Sequence, residues 1–577
     1  MTLKPDSTTQ VYATSEGSNG WHRANVVPPL DMPLHELPRD PALHERAPHP
    51  AEACDANWAA LDAALCTRDA YPHPVGEIKR IETHISVIYL AGSYAYKLKR
   101  PVAFGEFDFR ALTTRRCLCE DELRLNRRFS PQLYLAVVPV THDGKRYAVD
   151  GEGATIDYLV KMARFEQRHL LSQRLAKGTL DAGTIDRTAA MLADFHCHAD
   201  AQVPHERLGS YDLLKHQIET LCAATLAADA DAAKIEHWLS DRLSTLALHV
   251  EARRARGFVR ECHGDLHLDN LLANGEVSPF DCIEFSDTLR WLDVVNDIAF
   301  PVMDLWARGS RQMAFRLLNR WLEGTGDYRG LRALPLYFVY RALVRAWAMG
   351  AQGTSASCDK QALRERYLNA ARQTCIPARP ALLLCHGFSG SGKSLASDAL
   401  APQIGAVRLC ADLERKRRAP LTAAALDALV PDAYTDVAVD ANYHRLCALS
   451  MDILSAGLNL VVDGSFLRRR HRRVFIKMAR SLDLPVWILD FQAPRAVLEH
   501  RVSTRTAEAA RRGGLSSDAD LLVLHRQIDD SDPLCGEEWE LTLRFNADVP
   551  AAAWNTPAYW QTLVATLERG AVHGALT

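Results

Sequence analysis

The spacing of hydrophobic positions changes character along the chain, and each change predicts a different kind of structure. Residues 1 to about 52 show no apolar period and are rich in Pro, His, Asp and Glu. Pro28-Pro29-Leu30-Asp31-Met32-Pro33 cannot lie inside a helix, because each proline removes a backbone donor. A segment of this composition is expected to be disordered or loosely attached. From Trp58 to about Ala163 the pattern is mixed. Ile85–Leu90 and Tyr94–Leu98 predict strands around Ala91-Gly92-Ser93, Arg115–Arg128 has helical spacing, and Ala136–Val140, Arg146–Val149 and Tyr158–Met162 predict further strands. From about Glu166 to Arg372 the period is helical, as in Ile185–His198, Leu213–Ala227 and Leu331–Gly350. One irregular stretch, Cys262 to Ser286, interrupts these helices.

Ile376-Pro377-Ala378-Arg379-Pro380 predicts a linker, since two prolines disfavour helix on both sides. Beyond it, short apolar strands (Ala381–Cys385, Val407–Leu409, Leu460–Val462, Val486–Leu489) alternate with helical stretches. That alternation predicts a parallel sheet with helices on both faces. The expected order is a unit over 53–375, with a strand-rich lobe to about 163 and a helical lobe from about 164, then a linker at 376–380, then an α/β unit over 381–577.

Composition narrows the function classes. The formal net charge of -3 gives no basic surface for nucleic acid or an anionic membrane. The 14 cysteines contain no C-x-x-C pair, which points to reduced thiols in a cytoplasmic protein and not to a disulfide framework. No run of about 18 apolar residues suggests a membrane span, and Met1–Asp6 has no signal-peptide core. The histidines at 35, 44 and 49 are irregularly spaced, and His196 and His198 diverge on a helix, so neither set predicts a metal site.

Gly387-Phe388-Ser389-Gly390-Ser391-Gly392-Lys393-Ser394 fits G-x-x-x-x-G-K-[ST] between a strand and a helix. The backbone N–H groups of such a loop, with the helix N-terminus, cradle phosphate oxygens. Lys393 is expected to reach the β- and γ-phosphates, and Ser394 to ligate Mg²⁺. Asp463, ending Leu460-Val461-Val462, is the expected second metal acid. Asp412, read at the end of Val407–Ala411, is placed beside a phosphoryl acceptor, with Arg415 and Lys416 following. Arg501 and Arg505 share a helix face suited to covering the transferring phosphate. Over about 380–535 this set resembles the P-loop small-molecule kinases, including gluconate-kinase-like and zeta-toxin-like proteins. The resemblance implies transfer to a small hydroxyl-bearing acceptor, with Asp412 as acceptor-side acid and the two arginines in a mobile lid.

A second constellation lies at Cys262–Leu272. His263, Asp265 and Asn270 have the spacing of the kinase loop H-x-D-L-x-x-x-N. Asp265 is the expected base for an acceptor hydroxyl, Asn270 a metal ligand, and Asp281, on a following strand end, the main metal carboxylate. The segment resembles the aminoglycoside phosphotransferase family, whose fold is like that of protein kinases. The resemblance implies a nucleotide lysine in the small lobe: Lys97, with Lys99 second. It implies a helical glutamate partner, Glu122 before Glu120, and a hinge at Leu159–Met162 beside the adenine. It makes Asp293 and Asp297 supports of the catalytic loop. One departure stands out: no G-x-G-x-x-G precedes Lys97, and only Ala91-Gly92-Ser93 supplies a turn.

Taken together, about 55–535 resembles bacterial two-domain proteins that join an aminoglycoside phosphotransferase-like unit to an ATP-binding kinase-like unit. The expected fold is an α+β bilobal protein-kinase-like domain followed by an α/β P-loop NTPase domain. The expected function is an ATP- and Mg²⁺-dependent phosphotransferase with two sites for small hydroxyl-bearing acceptors. One alternative confines turnover to the P-loop unit and makes the middle unit a regulatory pseudokinase; another makes the P-loop unit a switch ATPase.

Overall fold

The computed structural model describes residues 51–573 apart from 84, 105–106, 228, 351–357, 378, 418–419, 422–434 and 513–520. The reading of residues 1 to about 52 as loosely attached therefore falls almost wholly outside the described residues.

The first lobe begins with helix α1 (Ala51–Leu65) and builds on strands β1 (Lys79–Glu82), β2 (Ser86–Ala91) and β3 (Tyr94–Lys99). A short ribbon, β4 (Ala103–Phe104) and β5 (Phe107–Asp108), leads to helix α2 (Leu112–Arg127). Strands β6 (Tyr134–His142), β7 (Tyr147–Val149) and β8 (Ala154–Ala163) complete a six-stranded sheet in the order β1-β2-β3-β8-β6-β7. Every pairing in it is antiparallel. The two-residue period of a strand sorts the side chains of β3 between two cores. Tyr96 and Leu98 enter the core beneath α1, whereas Ala95 belongs to the opposite core, under α2. Lys97 and Lys99 therefore point toward α2, and both are buried there.

The second lobe runs through α3 (Leu171–Ala176), α4 (Ala182–His198), α5 (Tyr211–Leu226) and α6 (Ala232–Ala255). Asp181 caps α4 by accepting the Thr184 N–H at 2.8 Å, and Ser210 caps α5. The stretch read as irregular follows strand β9 (Val259–Glu261) and contains a hairpin, β10 (Leu271–Asn274) and β11 (Glu276–Pro279). Helix α7 (Asp287–Arg290) and strand β12 (Trp291–Asp293), paired with β9, close it off. Strands this short carry too little alternation to register as a pattern. Helix α8 (Val294–Ala307) is apolar around most of its circumference and is the buried centre of the lobe. Around it pack α9 (Arg311–Thr325), α10 (Leu334–Gly350) and α11 (Cys358–Thr374). The helix expected from Leu331 starts at Leu334, because Tyr328–Arg332 forms a separate 3₁₀ turn.

The third unit is α/β. Strand β13 (Leu382–His386) is followed by α12 (Lys393–Ile404), β14 (Ala406–Cys410), α13 (Ala411–Lys416), α14 (Asp436–Ser455) and β15 (Asn459–Asp463). Then come α15 (Arg469–Ser481), β16 (Val486–Gln492), α16 (Arg495–Arg512), α17 (Leu521–Asp529), β17 (Thr542–Asn546) and α18 (Gln561–His573). The strands form one parallel sheet in the order β14-β15-β13-β16-β17. Strand β17 was not expected: Thr542-Leu543-Arg544-Phe545-Asn546 alternates polar and apolar residues, as an edge strand does. Among the described residues, no helix is long and apolar enough to cross a membrane.

The helical lobe and the α/β unit are packed together, not strung on a tether. Strand β14 is an edge of the parallel sheet, with unpaired backbone groups on its outer side. Asn319 of α9 covers them: its Nδ2 donates to the Ala406 carbonyl at 2.9 Å, and its Oδ1 accepts the Arg408 N–H at 2.8 Å. The Tyr328 hydroxyl donates to the Arg408 carbonyl at 3.3 Å. An amide side chain thus extends the sheet by one rung, and one hydrophobic core runs through both units.

The helical lobe is pinned internally by Arg253, whose guanidinium bonds Asp293 at 2.6 and 2.7 Å and Asp327 at 2.6 and 2.8 Å. All three side chains are buried. Removing the cation strands two buried carboxylates, so Arg253→Ala is expected to lower stability by about 3–5 kcal/mol. Chemical denaturation followed by tryptophan fluorescence checks this; a loss below about 1 kcal/mol, the range of exposed ion pairs, contradicts it.

Candidate active sites

The P-loop sits where the motif placed it, between β13 and α12. The positive φ values of Gly387 (141°), Gly390 (82°) and Gly392 (81°) turn the loop around its own interior. A Cβ on Gly390 would lie 2.8 Å from the Leu498 carbonyl oxygen, so α16 leaves room for glycine only. Lys393 Nζ donates to the Phe388 carbonyl at 2.7 Å and lies 3.3 Å from Ser391 Oγ. Burial pushes the Lys393 ammonium down, with Asp463 opposing that effect. The Ser389 N–H is taken by Gln527 Oε1 of α17 at 2.9 Å, a contact that the motif gave no hint of. Ser394 Oγ lies 3.3 Å from Asp463 Oδ1. Hydroxyl and carboxylate form a hard oxygen pair, the donor chemistry that suits Mg²⁺.

The loop opens into a cavity of about 850 Å³. Lys393, Ser394, Asp463, Asp412 and Arg415 line it, together with Arg501 and Arg505 of α16. Asp412 corrects the reading of it as a strand-end residue. Strand β14 stops at Cys410, and Asp412 lies in the first turn of the short helix α13, half-exposed and paired with Arg415 at 3.1 Å. The turn comes early because Cys410 is the helix N-cap. Arg501 is anchored by donating to the Ala547 carbonyl at 2.8 Å, just after β17. Trp554, beyond the span expected to carry the site, also lines the cavity.

The second site forms where the two lobes meet. Lys97 Nζ reaches Glu122 Oε1 at 2.8 Å and Asp281 Oδ1 at 2.5 Å. Lys99 Nζ reaches Glu122 Oε2 at 2.5 Å and also bonds Glu284, a residue the sequence reading passed over. Glu122 is fully buried between the two lysines, whereas Glu120 is exposed and pairs with Arg116. Burial opposes the charge on Lys97, but Asp281, Glu122 and Glu284 outweigh it and hold the ammonium well above its ordinary range. Asp281 lies two residues past β11 in the left-handed region, at φ 61°. The Tyr134 hydroxyl accepts its N–H at 3.0 Å, and Asn126 Oδ1 accepts that of Cys282 at 2.9 Å. Both partners come from the first lobe, α2 and β6, so the first lobe shapes this loop.

The loop from His263 to Asn270 hangs from α8. Asp297 accepts the His263 N–H at 3.2 Å and the Gly264 N–H at 2.9 Å. Gly264 has φ 85°, and a Cβ there would lie 2.7 Å from the Leu289 carbonyl oxygen. Asn270 Nδ2 donates to Asp265 Oδ2 at 3.0 Å, which leaves its carbonyl oxygen for a cation. Burial would raise the Asp265 carboxyl, but His267, Arg345 and His263 overcome it and hold it far below the ordinary range. Asp297 is in turn bonded by His196 Nε2 at 3.1 Å, and Trp321 Nε1 donates to His196 Nδ1 at 2.9 Å. Indole N–H only donates, so Nδ1 accepts and Nε2 carries the proton. Both ring nitrogens are thereby used. The buried group His196, Cys262 and Asp297 is a hydrogen-bonded support and not a metal site.

One further expectation is corrected. Asp293 does not reach the catalytic loop: it is the N-cap of α8 and faces Arg253. Leu159–Met162, the expected hinge, lies within β8, which ends at Ala163. The Gly92-Ser93 turn sits at the Tyr94 end of β3, about 10 Å of strand rise from Lys97. At the other end of β3, the sequence between β1 and β2, residues 83–85, contains no glycine, and Thr83 Oγ1 accepts the Ser86 N–H at 3.0 Å.

Residues 382–534 match a family described as an AAA domain. Uncharacterised proteins of Mycobacterium tuberculosis H37Rv and Mycobacterium bovis are 28% identical over 420 residues, spanning 69% of this chain and 81% of theirs. Among solved structures, an amicoumacin kinase bound to AMP-PNP, Ca²⁺ and Ami matches with a TM-score of 0.36 and 16% identity, covering 56% of this chain and 95% of that one. A gluconokinase from Sinorhizobium meliloti 1021 matches with a TM-score of 0.24 and 19% identity, covering 34% and 98%.

Gly390→Ala is expected to abolish nucleotide binding at the P-loop while leaving the fold intact, because the added methyl must displace the loop from α16. Titration with a fluorescent ATP analogue, beside a circular dichroism spectrum, checks this; unchanged affinity contradicts it.

Proposed function

We propose that this chain joins a bilobal protein-kinase-like unit to a P-loop kinase-type domain and is an ATP- and Mg²⁺-dependent phosphotransferase acting on small hydroxyl-bearing acceptors, with a potential transfer site in each unit. One observation carries the reading. The Lys393–Ser394–Asp463 cluster opens into a cavity of about 850 Å³ that Asp412 also lines, which leaves room for an acceptor beside the terminal phosphate.

In this reading the P-loop N–H groups and Lys393 hold the phosphates, while Ser394 and Asp463 hold the cation. Mg²⁺ held there would supply positive charge against the phosphates. Asp412 orients the acceptor hydroxyl and takes its proton. A new bond forms between the acceptor oxygen and the γ-phosphorus, the bond from that phosphorus to the β,γ-bridging oxygen breaks, and ADP leaves. Arg501 and Arg505 offset charge on the phosphoryl oxygens. In the bilobal unit, Lys97, positioned by Glu122, addresses the nucleotide, Asn270 and Asp281 are the metal ligands, and Asp265 is the base. Its carboxyl, held far below the ordinary range, stays ionised and so can orient the acceptor hydroxyl as a hydrogen-bond acceptor.

A second reading has one specific observation in its favour. The sequence at residues 83–85 carries no glycine, and a glycine-free segment cannot offer the close backbone cover that a glycine-rich loop gives to phosphates. The bilobal unit would then bind nucleotide without turnover and regulate its neighbour.

The test is incubation of the full chain with ATP, Mg²⁺ and a metabolite extract, with mass spectrometry of the products. One phosphorylated product is expected to disappear in Lys393→Ala, and a different one in Asp265→Ala. Loss of products only in Lys393→Ala supports the regulatory reading, and products unchanged in both variants overturn the proposal.

A further inference from the structure

Arg408 is the third residue of β14, a charged side chain inside the apolar run Ala406-Val407-Arg408-Leu409-Cys410. A buried guanidinium needs partners for its donors. Arg408 Nη2 reaches Asp463 Oδ2 at 2.5 Å, Nη1 reaches Glu323 Oε1 at 2.6 Å, and Nε donates to Ser397 Oγ at 2.9 Å. The two carboxylates come from different units. Asp463 belongs to the P-loop site, and its other oxygen is the one facing Ser394. Glu323 stands on α9 of the helical lobe, the helix that covers the edge of β14.

We infer that Arg408 is a positioning residue for Asp463 and that Glu323 sets its charge, so that cation-dependent nucleotide binding at the P-loop depends on the docked helical lobe. This rests on the reading of Ser394 and Asp463 as the cation pair. Two physical effects carry it. The first is orientation: with Oδ2 fixed by Arg408, Oδ1 is presented toward Ser394 and cannot rotate away. The second is charge. An arginine beside a cation site repels the cation unless its own charge is balanced. Glu323 supplies that balance, while Arg320 divides itself among Glu323 at 2.7 Å, Asp398 at 2.8 Å and Asp186 at 3.4 Å. Neutralising Glu323 leaves Arg408 with Asp463 and the more distant Asp398, at 4.0 Å, so Arg408 draws more heavily on Asp463 and weakens its hold on a divalent cation.

The same helix also reaches the other site. Trp321, two residues before Glu323, points about 200° away around α9 and bonds His196 beneath the loop of Asp265. The helix that sets Arg408 is thus itself held against the bilobal catalytic loop.

The experiment titrates Mg²⁺ against binding of a fluorescent ATP analogue to the full chain, counting only the binding that Lys393→Ala abolishes. Glu323→Gln preserves size and is expected to raise the Mg²⁺ concentration for half-maximal binding about ten-fold, as loss of an outer partner of a metal ligand does. Affinity measured in EDTA stays within about two-fold of the unaltered chain, because phosphate contacts are untouched. Arg408→Lys keeps the charge but cannot span both carboxylates, and is expected to shift the Mg²⁺ requirement in the same direction. Arg332→Ala removes a contact to Asp452 at the same docking surface (3.8 Å), away from Arg408, and leaves the requirement unchanged. The inference is overturned if Glu323→Gln and Arg408→Lys both keep the original requirement, or if Arg332→Ala shifts it equally, since that reports loosened docking only. Absence of any Lys393-dependent binding in the unaltered chain removes the reading of the P-loop site, and the inference with it.

Discussion

An open sheet edge has to be covered, and in this protein helix α9 covers it. Strand β14 lies at the margin of the parallel sheet, and its outward N–H and C=O groups are met by Asn319 and Tyr328 of the helical lobe. The amide of Asn319 offers one donor and one acceptor at the spacing of a strand rung, so it completes the ladder without adding a strand. That contact brings Glu323 to Arg408 and merges the two hydrophobic cores. It also fixes α12, which begins at Lys393, against a second helix. The α/β unit therefore uses part of the preceding unit as its own wall.

The two candidate sites balance their charges in opposite ways. In the bilobal unit two lysines, Lys97 and Lys99, are buried among Glu122, Asp281 and Glu284, so that each carboxylate has a cation within hydrogen-bond reach. Those contacts tie β3, α2 and the segment after β11 into one ionic unit across the two lobes. In the α/β unit the charges are spread around an open cavity instead, with cations on the P-loop and α16 and acids on α13 and β15. The first arrangement holds lobes together, and the second leaves space for a ligand.

Much of this was legible in the chain. Period-two alternation marked β2, β3 and β8, and β3 carries Lys97 and Lys99 on one face by that alternation alone. The P-loop and the His263–Asn270 loop are contiguous motifs whose geometry is local, and the structure places both in strand and loop contexts as read. The residues that were misread depended on distance in space. Asp293 and Asp297 share a spacing that suits one helix face, yet Asp293 caps the helix and turns to Arg253. Asp412 followed an apolar run without a break, and only the early N-cap at Cys410 puts it on a helix. Strand β17 is polar on alternate residues and short, so it was silent until β16 was seen beside it.

The sequence by itself determined the order of the units, the two phosphate-oriented motifs and the faces of the longer strands and helices. These arise from backbone periodicity and from contiguous residues, which act over a few residues. Only the tertiary structure decided which carboxylate meets which cation: Lys99 with Glu284, Arg253 with Asp293 and Asp327, Arg408 with both Asp463 and Glu323. A charged residue in an apolar strand announces that a partner exists, because burying it alone is too costly. It cannot say where the partner lies. Only packing brings together residues 55 and 85 positions apart in the chain, as for the two carboxylates on Arg408.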